Sequence, residues 1–112
     1  MRRGEIWTAA GGPDYAGKPR PVVIVQDDAF EETASITVCL LTTNDRNAPL
    51  IRVRLEPNER TNLRQPSWVM ADKVTTVRKD QMGSRIGRVD DQDLIRISHA
   101  LIVFLGLAGS SS

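Results

Sequence analysis

The chain is predicted to be mainly β: a small, strongly bent barrel followed by one C-terminal α-helix. Three observations predict it. Short β-branched runs recur through the first three quarters of the 112 residues, and glycine- and proline-rich breaks separate them. The one clear helical periodicity of apolar residues lies near the C-terminal end. Length points to a single domain, 1–112, with residues 109–112 as a flexible tail rich in serine.

Glu5-Ile6-Trp7-Thr8 reads as a short first strand. Residues 10–19 carry three glycines and two prolines, which rules out regular structure and makes a loop. From Pro21 to Gln26 the run is continuously β-branched, as in a strand buried on both faces. Ile36 to Thr42 is a second such strand. Leu50 to Leu55 alternates instead, which predicts a half-exposed strand with Arg52 and Arg54 both facing outward. Ser67 to Val77 is long enough for one strand or a bent pair, and Arg85 to Arg88 makes a final short one. Asp90 is placed to cap a helix, with Asp91 and Asp93 in its first turn complementing the dipole. Leu94, Ile97, Leu101 and Leu105 then recur at helical spacing, joined by Ile102 and Phe104, and Gly106 and Gly109 end the helix. So much apolar surface on one helix predicts packing against the barrel and against a second subunit.

Composition removes several function classes. Aromatics are only 4% of the chain, too few for a platform that stacks bases on exposed rings. Net charge is +1, so no overall field draws the chain onto nucleic acid. The charge is unevenly placed, however: Arg46, Arg52, Arg54, Arg60 and Arg64 face only Glu56 and Glu59 within residues 46–64. Cys39 is the single cysteine and lies among core residues, which predicts a packed, inert thiol. There is no cysteine pair and no histidine pair, so no zinc site and no metal is expected. His99 stands alone in the helix, which excludes a ribonuclease built on two catalytic histidines. Gly11-Gly12-Pro13 precedes a strand and lacks the lysine and hydroxyl spacing of a phosphate-binding loop. The opening residues lack the apolar stretch of a signal peptide, and no run of about 18 apolar residues occurs. A soluble, cytoplasmic protein with no membrane association and no cofactor is expected.

What remains is Arg20 with Thr42 and Thr43. Pro19 and Pro21 flank the arginine and restrict its backbone, fixing where the guanidinium points. A planar fork held in place suits a phosphodiester, because it can hold two phosphate oxygens at once. Attack by a ribose 2′-OH on the adjacent phosphorus builds charge on those oxygens, and donors aimed at them lower the barrier. The Thr42 hydroxyl offers a second donor. Such a site needs no metal and acts only on RNA, since DNA lacks the nucleophile. An arginine is a poor proton acceptor and a good charge stabiliser, so the general base stays open among substrate groups, water and Asp72.

Five stretches in order carry a family resemblance: Arg3 to Trp7, Arg20 to Val25, Leu40 to Asn44, Ser67 to Val77 and Ile86 to Leu105. Together they resemble the MazF/PemK family of toxin endoribonucleases from type II toxin–antitoxin systems. The resemblance implies an SH3-like barrel of the MazF/CcdB type and sequence-specific, metal-independent cleavage of single-stranded RNA. It implies Arg20 and Thr42 as the catalytic pair, and a loop from about Ala10 to Lys18 closing over RNA. Asp72 and Lys73 would line the groove. Thr43 stands where many members carry serine and keeps the hydroxyl. Asp72-Lys73 replaces an acid–amide pair found in some members, so base preference does not transfer. Substrate-binding roles are expected for Tyr15, Lys18, Thr43, Ser67, Asp72 and Lys73. Tyr15 either stacks on a base or anchors the loop; Ser67 opens a strand and supports the groove. Trp7 and Trp68 read chiefly as packing residues.

The resemblance also implies a homodimer silenced by a MazE-like antitoxin whose extended acidic segment occupies the groove, with Arg52, Arg54 and Lys18 suited to receive it. Two alternatives stay open. A non-enzymatic gyrase poison of the CcdB type needs an aromatic residue near the chain end, and none follows Phe104 here. A catalytically silent nucleic-acid-binding barrel would not need the intact Arg20 and Thr42.

Overall fold

The computed structural model describes residues 1–10, 18–107 and 109. Among the described residues six strands form: β1 (Glu5–Ala9), β2 (Arg20–Ile24), β3 (Ser35–Thr42), β4 (Arg52–Leu55), β5 (Ser67–Arg78) and β6 (Met82–Arg88). One helix, α1 (Asp91–Leu105), follows. Short 3₁₀ turns at Asp28–Phe30 and Lys79–Gln81 were not foreseen from the sequence. Residues 11–17, 108 and 110–112 lie outside the described residues, and with them most of the expected loop and nearly all of the expected tail.

The strands pair antiparallel in the order β4-β5-β3-β2-β1-β6. The mainly β fold with a C-terminal helix is as the sequence predicts, and the bent sheet stays open at one edge. The reason lies in the connection between β4 and β5. It folds onto β6 and occupies the place where β4 would have to pair with it. Arg88 N–H donates to the Arg60 carbonyl at 2.9 Å, and the Asn62 side-chain amide donates to the Ile86 carbonyl at 2.9 Å. Gly87 permits this approach, since a Cβ there would collide with the Arg60 and Thr61 carbonyl oxygens.

Alternation along the strands builds two apolar clusters, one on each face of the sheet. On one side Ile6, Val23, Val25, Cys39, Leu41, Leu55 and Val69 pack with Ile97 and Ala100 of α1. On the other, Ala9, Val22, Ile24, Ile36 and Val38 form a smaller cluster. Val22 to Val25 are therefore all buried, as expected for a strand covered on both faces. The Cys39 thiol lies in the core, where desolvation by burial, aided by the nearby Asp72 charge, pushes its pKa up to about 12. It is a packing residue, as its sequence context predicts.

β5 is a single strand, but a bent one. Opposite β3 its register shifts: Cys39 pairs with Val74, whereas Leu41 pairs with Val69. Two steps along β3 thus face five along β5, so residues around Met70–Lys73 bulge out of the ladder. The bulge is where the site is built.

α1 begins as its sequence predicts. Asp90 Oδ1 accepts from Asp93 N–H at 2.7 Å. Gly106 adopts a left-handed φ of 70°, and Leu107 N–H reaches back to the Ile102 carbonyl. Arg3 clamps the helix to the sheet, its guanidinium donating to the Val25 carbonyl and the Ser98 hydroxyl. Among the described residues no helix is long and apolar enough to cross a membrane.

Candidate functional site

Arg20 opens β2, and Thr42 ends the neighbouring β3. Val22 pairs with Leu40 across these strands. Continuing that antiparallel register by two residues sets Arg20 opposite Thr42, on the same face of the sheet. The two residues singled out from sequence thus meet through strand pairing alone. They line an open groove of about 450 Å³ with Pro21, Leu40, Leu41, Thr43, Asn44, Ser67, Met70 and Lys73.

The hydrogen bonds assign the hydroxyls different capacities. Thr42 Oγ1 accepts from Asn44 N–H at 3.2 Å, so its own proton is free to be donated. Ser67 does the reverse: its hydroxyl donates to the Gln65 carbonyl at 3.1 Å, leaving lone pairs to accept. Ser67 is nearly fully buried. Arg20 and Lys73 are exposed, and among the described residues neither forms a salt bridge with a carboxylate. The groove therefore offers two cations and a free hydroxyl donor, and among the described residues no acid lines it. That donor set fits an anion, and a phosphodiester in particular.

Asp72 does not line the groove, contrary to the sequence expectation. Its carboxylate takes a two-pronged contact from Arg52, Nε to Oδ1 at 2.8 Å and Nη2 to Oδ2 at 2.9 Å. Asp72 lies two residues along β5 from Met70, the partner of Arg52, so alternation sets it diagonally beside Arg52 on the same face. The hydrogen bonds from Arg52 hold the Asp72 carboxyl below its ordinary range, against a smaller opposing effect of desolvation. It is consequently a weak base. Arg52 in turn is only 11% exposed at its side chain and does not face solvent as Arg54 does. The alternation rule placed it on the correct side of β4 but could not see its partner.

Lys18 is exposed and lies outside the groove lining. Tyr15 falls outside the described residues. Thr43, Ser67 and Lys73 do line the groove, together with Asn44 and Met70, which sequence reasoning passed over. Met70 alternates with the buried Val69 and Ala71, so it faces the groove side of β5. Asn44 follows the Thr42-Thr43 pair, and the turn it makes on Thr42 was the available signal. His99 is exposed on α1, away from these residues. Trp7 packs on the smaller core cluster, its indole N–H donating to Glu5 at 3.0 Å. Trp68 lies on the outer face of β5, with the Arg54 guanidinium 5.8 Å from its ring centroid.

Comparison with known proteins agrees with this arrangement. Residues 2–105 match the family model described as PemK-like, MazF-like toxin of type II toxin-antitoxin system. The chain is 53% identical to a probable endoribonuclease MazF of Mycolicibacterium smegmatis over 109 residues, covering 97% of this chain and all of that one. It is 30% identical to endoribonuclease MazF9 of Mycobacterium tuberculosis, covering 96% of this chain and 98% of the relative. A mycobacterial endoribonuclease solved in complex with its cognate antitoxin superposes with a TM-score of 0.80 at 30% identity, covering 96% of each chain. The sheet order, the capped C-terminal helix and the sequence match over nearly the whole length lead to one conclusion: the chain belongs to the PemK/MazF family of type II toxin–antitoxin toxins.

Proposed function

We propose that this MazF-type toxin endoribonuclease binds single-stranded RNA in the Arg20–Thr42 groove and cleaves it by attack of a ribose 2′-OH on the adjacent phosphorus. The observation that carries the reading is the placement of a phosphate-binding fork and a free hydroxyl donor at one register position, on adjacent strands. Arg20 holds two non-bridging oxygens and meets the charge that grows on them. Thr42 donates its free proton to the same phosphoryl group or to the oxygen that leaves. As the new bond to the 2′-oxygen forms, the bond from phosphorus to the 5′-oxygen breaks. The 2′-OH gives up its proton and the 5′-oxygen gains one, leaving a 2′,3′-cyclic phosphate and a 5′-hydroxyl. Asp72 is too firmly held by Arg52 to act as the base. Lys73 adds positive charge at the groove wall, and Ser67 is left to accept from a base or sugar donor.

The working form is a homodimer in the cytoplasm. The end of α1 supports this, because Val103, Phe104, Leu105 and Leu107 remain exposed on one short stretch. The inhibitor is a MazE-like antitoxin with an acidic extended segment, for which Arg20, Lys73 and Lys18 are available cations and Arg52 is not. Relatives named endoribonuclease favour cleavage over the gyrase-directed and purely binding alternatives. The nucleophile is tested with an RNA spanning a mapped cut, in which the ribose at that cut is replaced by 2′-deoxyribose. The expected result is complete resistance at that position and normal cutting elsewhere. Cutting at the deoxy position would overturn the 2′-OH mechanism.

A further inference from the structure

The row that sets Arg20 beside Thr42 does not stop there. Thr42 pairs with Trp68 of β5, and Trp68 pairs with Arg54 of β4. Residues directly opposite one another in antiparallel strands share a face. Arg20, Thr42, Trp68 and Arg54 therefore form one line across four adjacent strands. With strands about 4.8 Å apart, the line runs on for two more strands beyond Thr42, roughly 10 Å.

Both outer members are poorly explained by packing. Trp68 alternates with the buried Ser67 and Val69, so its ring points away from the helix-side core, and it belongs to neither apolar cluster. Arg54 is 49% exposed, held over the ring at 5.8 Å and loosely paired with Glu56 at 3.4 Å. An exposed ion pair of this kind stabilises little, and its guanidinium is free to exchange a carboxylate for a phosphate. An indole and an adjacent cation are the two groups that single-stranded nucleic acid binds best: the ring takes a base and the cation takes the backbone.

We propose that Trp68 and Arg54 form a nucleotide subsite flanking the cleavage groove, with a base stacked on the Trp68 indole and Arg54 on its phosphate. This rests on the reading of the groove as the RNA site. The subsite engages RNA on the β4 side of Thr42, opposite to Arg20, and contributes affinity without touching the scissile phosphate. The low overall aromatic content does not argue against it, because one ring at the end of a charged row suffices for one base.

The chain has two tryptophans, so Trp7→Phe leaves Trp68 as the sole indole reporter. The probe is a short RNA spanning a mapped cut and blocked there by a 2′-O-methyl group. Its titration into the Trp7→Phe protein is expected to quench Trp68 emission. Trp68→Leu, which keeps an apolar side chain, should weaken binding of the same RNA about tenfold or more, as loss of a base–aromatic stack does. Arg54→Ala should reduce the slope of log affinity against log salt by about 0.7, one phosphate contact on a single strand. Replacing flanking nucleotides one at a time by abasic ones should find one position that abolishes the quench. At that position native and Trp68→Leu proteins should bind equally. The fold of each variant is checked by thermal unfolding, and Trp68→Met replaces Trp68→Leu should the latter not fold. Binding without quenching, or a Trp68 penalty that no abasic position removes, would overturn the subsite while leaving the groove intact. Failure of the native chain to bind or cut RNA at all would instead overturn the functional reading, and the subsite with it.

Discussion

Thr42 and Asp72 show how single residues divide the labour around the groove. The Thr42 hydroxyl is turned outward as a donor because Asn44 N–H occupies one of its lone pairs. Thr42→Val removes that donor at almost constant volume and is expected to slow RNA cleavage about 10²–10³-fold, while Thr42→Ser retains most of the rate. Equal rates for the valine and serine variants would contradict a role for the hydroxyl. Asp72 acts through charge instead. Its carboxyl is more acidic in the folded chain than its ordinary value of 3.8, chiefly through the hydrogen bonds from Arg52. The unfolded state therefore takes up a proton first as pH falls, and the pair's contribution is full above that value. The stability gap between the native chain and Asp72→Asn should be constant near neutrality and close as pH drops below about 4. Denaturant melts at a series of acid pH values measure it. A gap that widened on acidification would mean that Asp72 is strained rather than stabilised by Arg52.

The elements themselves were largely legible in the sequence, because their signals are local. β-Branched runs, the Asp90 cap and the Gly106 stop each act within a few residues, and α1 begins and ends where they predict. What was not legible depends on pairing across distance. The three-residue bulge in β5 comes from the match between β5 and β3, and the contact of Asp72 with Arg52 comes from the match between β5 and β4. Likewise the outward face of β4 could be read from alternation, but the partner of Arg52 could not. The strongly bent sheet was expected from the number of short strands, and its open edge reflects the β4–β5 connection sitting on β6. That packing has its own test. Gly87→Ala forces a Cβ against the Arg60 and Thr61 carbonyls and should cost about 1–3 kcal/mol in urea unfolding. An unchanged stability would mean the connection does not rest on β6 as described.

At the scale of the whole molecule, the bent sheet does two things with its two faces. One face is covered by α1 and supplies most of the apolar core. The other keeps only a small cluster and leaves the row from Arg20 to Arg54 open. The candidate site is thus a by-product of which face the helix takes. Arg20 and Thr42 could be picked out before the structure because Pro19, Pro21 and the strand-end threonines mark them, and because the ordered stretches resemble one family. Their meeting depends only on antiparallel register, which the alternation of apolar residues fixes. The exposed apolar residues at the end of α1 are where the proposed second copy would pack.

The central claim is that Arg20 stabilises phosphoryl charge during metal-independent cleavage of RNA. The most direct test is digestion of a long, mixed-sequence RNA in EDTA by the native chain and by Arg20→Ala, with the product ends mapped. The account predicts discrete cuts with 2′,3′-cyclic phosphate ends from the native protein, and a rate lower by about 10²-fold or more for Arg20→Ala. Cutting at equal rates by both proteins, or none by the native chain, would contradict it.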